Sequence, residues 1–135
     1  MFEWTGSRWS QRGIDLEGWR RGDKAYGLDL NADGTIVAVG ARGNSYLTGF
    51  GGESTNSASS DSGRAGAVRV FKWENGGHWN VMGFSTVQGR QNGEGCGESV
   101  ALNEIGNLLV VGCPFYDPAY SNEGATVQTG RVVMY

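Results

Sequence analysis

Side chains that could do chemistry are few in this sequence, and their spacing assembles no catalytic set. The single histidine, His78, follows Gly76-Gly77 at the start of an expected strand, where an imidazole is usually solvated. The serines gather between Ser54 and Ser62 without the Gly-x-Ser-x-Gly spacing of a nucleophile elbow. Gly89, Gly93, Gly95 and Gly97 mimic a phosphate-binding loop, but they lead into a strand, so no helix N-terminus stands ready for an anion. The acid pairs Asp15/Glu17 and Asp117/Glu123 have the composition of an acid–base couple, yet they fall in loops, where carboxylates are usually solvated. These residues point away from an enzyme.

Two cysteines remain, and the elements around them organise the chain. Residues 96–114, CGESVALNEIGNLLVVGCP, have an upstream counterpart in residues 24–42, KAYGLDLNADGTIVAVGAR. Each is an apolar segment, a polar turn ending in Gly, and a longer apolar run closed by Gly, which is the pattern of a β-hairpin. The turns are Asn31-Ala32-Asp33-Gly34 and Asn103-Glu104-Ile105-Gly106. With Leu102 opposite Asn107, the same register sets Cys96 opposite Cys113. Two buried thiols are the simpler expectation for this pair; a cross-strand disulfide in an oxidising compartment is the alternative.

The hairpins belong to a longer repeat. Trp9 and Gly13 recur at Trp79 and Gly83, an offset of 70; Gly34 and Gly40 recur at Gly106 and Gly112, an offset of 72; Gly66 and Phe71 recur at Gly130 and Tyr135, an offset of 64. One complete period holds four expected strands, at 25–30, 35–41, 67–73 and 78–83. Ile36-Val37-Ala38-Val39 and Leu108-Leu109-Val110-Val111 are continuous apolar runs, as for strands covered on both faces. A repeat of this length whose insertions gather in one connection reads as a blade-type array. The chain then divides into the last strands of one unit at 1–13, a complete unit at 14–83, and a unit lacking its outer strand at 84–135. The long connections, 43–65 and 115–129, are expected on one face, which is the first place to look for binding.

Composition agrees with an all-β domain. The 135 residues include 24 glycines, about 18% against an ordinary share near 7%. A net charge of −3 supplies no basic footprint for nucleic acid. No apolar run reaches the roughly 18 residues of a membrane-spanning helix, and the first residues lack the apolar core of a signal peptide.

The block G-x-x-x-G-[DE]-x-x-G-x-S-V-A-L-x-x-x-G-x-x-x-x-V-G-x-P, followed by a loop and G-x-V-R-V-F-x-W, resembles the FG-GAP repeat of integrin-α-type β-propellers. Cys96-Gly97 stands where the family has Phe-Gly, and Gly112-Cys113-Pro114 where it has Gly-Ala-Pro; Lys24-Ala25 departs from the pattern, and Arg42 replaces the Pro of the first unit. The resemblance covers nearly the whole chain and implies four-stranded antiparallel blades forming part of a larger propeller, with secretion, a cell surface or an organelle lumen as the setting. It also implies that the chain is a segment of a longer protein, or else that several copies close the ring.

Family members often hold calcium in a D-x-[DN]-x-D-G loop, so the resemblance nominates Asp29, Asn31 and Asp33 as ligands. Val37 occupies the position of the family's last acid, and a simple hairpin turn explains the same residues; no cofactor is the primary expectation. Trp4, Trp9, Trp73 and Trp79 recur with the repeat, as packing residues do. Trp19, Tyr46, Phe50, Phe115, Tyr116 and Tyr120 lie off that pattern and are the candidates for an exposed binding surface. The expected function is a non-catalytic interaction or structural module, for adhesion or scaffolding, whose partner is another protein or the remaining blades. A lectin-like or enzyme-associated domain, binding carbohydrate, and a structural subunit of a larger complex are the rivals.

Overall fold

A computed structural model describes residues 1–18, 23–43, 65–83, 87–91, 93–118 and 128–135. They form an all-β protein of ten strands, antiparallel throughout each sheet. β1 (Phe2–Trp4) and β2 (Trp9–Gln11) make a hairpin. β3 (Leu28–Leu30), β4 (Ile36–Ala41), β5 (Ala67–Glu74) and β6 (His78–Val81) pair in chain order, and β7 (Val87–Gln88) adds to the edge of β5 at Ala67 and Val68. β8 (Ser99–Leu102), β9 (Leu109–Cys113) and β10 (Arg131–Met134) form the third sheet. Among the described residues no helix is long and apolar enough to cross a membrane.

The apolar run of β4 is covered on both faces, as its composition requires. On one side Ala38 and Val68 pack with Leu109, Val111, Cys96 and Cys113 from the β8–β10 sheet. On the other, Val37, Phe71 and Trp79 are covered by Met1 and Leu16, which flank the β1–β2 hairpin. The indole N–H of Trp79 donates to the Arg12 carbonyl (3.1 Å), and the Arg12 guanidinium lies 4.8 Å over the Trp73 ring. Alternation along each strand explains this division, since Val37 and Ala38 must point to opposite faces.

The middle and third sheets meet almost backbone to backbone. A Cβ added at Gly40 would collide with the Gly97 carbonyl, and one added at Gly66 with the Cys96 carbonyl. Gly66 and Cys96 form a parallel bridge, and Gly27 N donates to the Gly97 oxygen (3.2 Å).

Both hairpin turns are longer than expected, and the cross-strand register changes with them. Leu102 pairs with Leu109, not Asn107, and Ser99 pairs with Gly112; Leu30 likewise pairs with Val37. The cause is an asparagine in each turn. The Asn31 side-chain oxygen accepts from the backbone N–H groups of Thr35 (2.9 Å) and Ile36 (2.8 Å), and Asn103 does the same for Asn107 and Leu108 (3.0 Å each). These bonds close six-residue turns and delay strand pairing.

The cysteines also depart from the simpler expectation: Cys96 and Cys113 are joined as a disulfide. Cys96 lies just before β8, and Gly97, at a φ of +88°, turns the chain so that Cys96 reaches Cys113 despite the altered register.

Candidate functional site

The end of the molecule from which both long connections depart is built on the disulfide. β4 and β5 terminate there at the Ala41–Ala67 pair, and β9 and β10 at the Cys113–Arg131 pair. Cys96 N donates to the Ala65 carbonyl (2.9 Å) and Gly89 N to the Gly66 carbonyl (3.0 Å), so the base of the first connection is held against the third sheet. The base of the second is closed by Thr129 N and Gly130 N, both donating to the Tyr116 carbonyl (3.0 and 3.2 Å).

Beside the disulfide lies a fully buried carboxylate, Glu94. One of its oxygens accepts from both Arg131 Nε (2.8 Å) and the terminal guanidinium nitrogen, while the other accepts from the backbone N–H groups of Arg90 (2.5 Å) and Gln91 (3.2 Å). Burying this charge is tolerable only because every bond it needs is present. Arg131 also lies 5.1 Å over the Tyr116 ring and 3.8 Å from Cys96 Sγ. A second arginine repeats the device: Arg42 pairs with Glu98 (3.1 Å) and lies 4.9 Å over Phe115 and 5.5 Å over Tyr26. Between the ends of β8, β9 and β10 is an open groove of about 320 Å³, walled by Glu98, Ser99, Gly112, Pro114 and Thr129.

The expected surface aromatics divide. Phe115 and Tyr116 come together here, half-buried beneath the two arginines. Trp19, Tyr46, Phe50 and Tyr120 lie outside the described residues. His78 is at the opposite end, 4.0 Å from Glu74.

The three nominated calcium ligands sit at or beside the β3–β4 turn, each bound to donors of the protein itself. Asp29 accepts from Leu30 N (2.9 Å) and reaches across to Leu102 N (2.6 Å), tying the middle sheet to the third. Asp33 accepts from the backbone and hydroxyl of Thr35 (2.9 and 2.5 Å), bonds that hold its carboxyl below the ordinary value of 3.8. Asn31 closes the turn as described. A different metal-ligating set, Glu94 with Cys96 and Cys113, is clustered within 4.8 Å. Its sulfurs are in the disulfide and so supply no thiolate, while both oxygens of Glu94 are engaged.

Glu94 and Arg131 escape detection from sequence because they stand 37 residues apart. One signal was present: an acid follows Gly at both Gly22-Asp23 and Gly93-Glu94. Asp23, in the segment before β3, is buried; burial pushes the Arg69 guanidinium of β5 down from its ordinary value, and the charge of Asp23 opposes that shift.

Comparison with protein-family models, with curated proteins and with solved structures returns no match to this chain.

Proposed function

We propose that this chain is a non-catalytic interaction or structural module, a segment of an FG-GAP-like, integrin-α-type β-propeller, binding its partner through the end that carries the two long connections. The observation that carries this reading is the anchoring of both connections on one rigid base. Cys96 is bonded to Cys113, hydrogen-bonded to Ala65 and packed beside the Glu94–Arg131 pair, so loops of different sequence spring from one fixed platform. Binding residues commonly sit on loops positioned in this way. The propeller reading draws on the repeat, the pairing of β3 to β6 in chain order and the packing of the β8–β10 sheet on its face. Protein is the favoured partner class, and a secreted, surface or lumenal setting accords with the disulfide, since such bonds persist in oxidising compartments.

Site-specific photocrosslinking tests the proposal with the partner still unidentified. A benzophenone side chain replaces Pro118, at the base of the second connection, or Asn75, in the β5–β6 turn at the other end. Both variants are incubated with extracellular protein from the source. One discrete adduct from position 118 and none from position 75 is expected; adducts from position 75 alone, or equally from both, would overturn the assignment.

A further inference from the structure

Among the described residues Asn75 is the one asparagine followed by glycine, and it opens the turn between β5 and β6. The two strands close at the Glu74–His78 pair, and Gly77, at a φ of +79°, donates its N–H back to the Glu74 carbonyl (3.0 Å). That bond fixes the turn but leaves its first peptide open. Neither the Asn75 side-chain amide nor the Gly76 N–H has a hydrogen-bond partner among the described residues, and both residues are exposed. The single histidine, His78, lies against Gly76, so closely that a Cβ there would meet the ring Cε1 at 2.7 Å and Nδ1 at 2.9 Å. Its Nε2 is 4.0 Å from the Glu74 carboxylate.

Asp33-Gly34, in the β3–β4 turn, has a comparable sequence and the opposite surroundings. There the Gly34 N–H is engaged by the Asn31 carbonyl (3.1 Å), and the Asp33 carboxyl is held by Thr35, whose bonds keep it ionised and so a poor electrophile. Asn80 makes a second contrast, because it is paired with Lys72 inside β6 and followed by a branched valine. The fold therefore closes one such site and leaves the other open, with an imidazole beside it.

We propose that Asn75 is a site of autocatalytic modification, converted through a cyclic succinimide to aspartate and isoaspartate, with His78 as the base. The Gly76 nitrogen bonds to the Asn75 side-chain carbonyl carbon while the imidazole takes the amide proton, and the imidazolium so formed faces the Glu74 carboxylate. It then returns the proton to the side-chain nitrogen as the Cγ–Nδ2 bond breaks, and ammonia leaves. Water opens the ring at either carbonyl, its hydroxyl going to carbon and its proton to nitrogen, so nothing is oxidised or reduced. Ring closure is intramolecular, and glycine puts no Cβ in the way of the attacking nitrogen. The product carries one more negative charge beside Glu74. Isoaspartate also adds a methylene to the backbone spanned by the Gly77–Glu74 bond, so the turn must reset next to the Trp73–Trp79 pair.

Ageing the full, unaltered chain in heavy-oxygen water at neutral pH and body temperature supplies the first test. Digestion with trypsin in ordinary water then releases residues 73–90, which contain both Asn75 and Asn80. Mass spectrometry with electron-transfer fragmentation, which separates isoaspartate from aspartate, is expected to find one heavy oxygen at position 75, in both products, accumulating at least about ten-fold faster than at Asn80. No label at position 75, or equal rates at the two asparagines, overturns the proposal. Gly76→Ala is expected to slow the conversion by about ten-fold or more; an unchanged rate would mean that ring closure on this nitrogen is not the route. His78→Phe keeps a ring against Gly76 but removes the proton acceptor, so conversion should slow and free imidazole in the buffer should restore it. An unchanged rate in that variant, or a slowed rate that imidazole does not restore, refutes His78 as the base.

Discussion

Asn31 and Asn103 occupy the same place in two turns but different surroundings, and this difference should be measurable. Asn31 is buried, and its oxygen serves the buried N–H of Ile36, whereas Asn103 is half-buried and serves exposed donors that water can satisfy. Leaving buried N–H groups without an acceptor costs about 1–3 kcal/mol. Asn31→Ala should therefore lower the melting temperature by several degrees and Asn103→Ala by clearly less; equal effects in thermal unfolding would contradict the account. Asp33 permits a finer test. Its carboxyl titrates below 3.8 through the hydroxyl and backbone bonds of Thr35. A depressed value means that the stability it contributes is complete above about pH 3.8 and is lost as pH falls through the folded-state value. Thr35→Ala removes the hydroxyl and keeps the backbone N–H, so an NMR titration should find Asp33 moved upward, partway to 3.8. The Glu94–Arg131 pair has the largest stake. Arg131→Met strands a buried carboxylate and should cost about 3–5 kcal/mol in urea unfolding. Adding Glu94→Gln should recover part of that loss, because the stranded charge is gone; a strictly additive double variant would mean the pair is not coupled.

At the scale of elements, the sequence was informative where composition alone decides and silent where partners are distant. The run at Ile36–Val39 announced a strand covered on both faces, and β4 is one; the run at Leu108–Val111 announced β9 but not its cover, since Leu108 is exposed and only alternate residues of β9 are fully buried, so one face alone meets the core. Register was less legible. It depends on two asparagine side chains whose bonds add residues to each turn, and a Gly-terminated turn looks alike whether it spans four residues or six. β7 carried no signal, being two residues long and formed only because β5 offers it an edge. The cysteines were legible as neighbours but not as a disulfide, since redox state is a property of compartment and not of spacing. The glycines at strand ends had a cause the repeat only hinted at. Gly40 faces the Gly97 carbonyl, whereas its repeat equivalent Gly112 faces the movable Ser99 hydroxyl. Gly40→Ala should force the sheets apart and cost about 1–3 kcal/mol, while Gly112→Ala costs little because Ser99 can rotate; chemical denaturation of both variants checks the contrast.

Across the whole molecule, the unequal cover of the three sheets sets the order in which they should open. The middle and third sheets share one core through Ala38, Val68, Leu109 and Val111, and they are bound further by Asp29 to Leu102 and by Gly27 to Gly97. Neither can lose its partner without baring that core, so the two should unfold together. The β1–β2 hairpin differs, because its strand residues are exposed or half-exposed and its described ties run through its flanks, at Met1, Arg12 and Leu16. Local opening follows such differences in burial. Native-state hydrogen exchange should give one shared opening free energy for the amides of Ala38 and Val111, and a distinctly lower one for Glu3 and Ser10 in the hairpin. Separate values for Ala38 and Val111 would mean that the two sheets are independent units merely in contact. Hairpin protection equal to that of the core, measured in dilute monomer, would mean that the flanks alone bind β1 and β2 as firmly as the sheets bind each other.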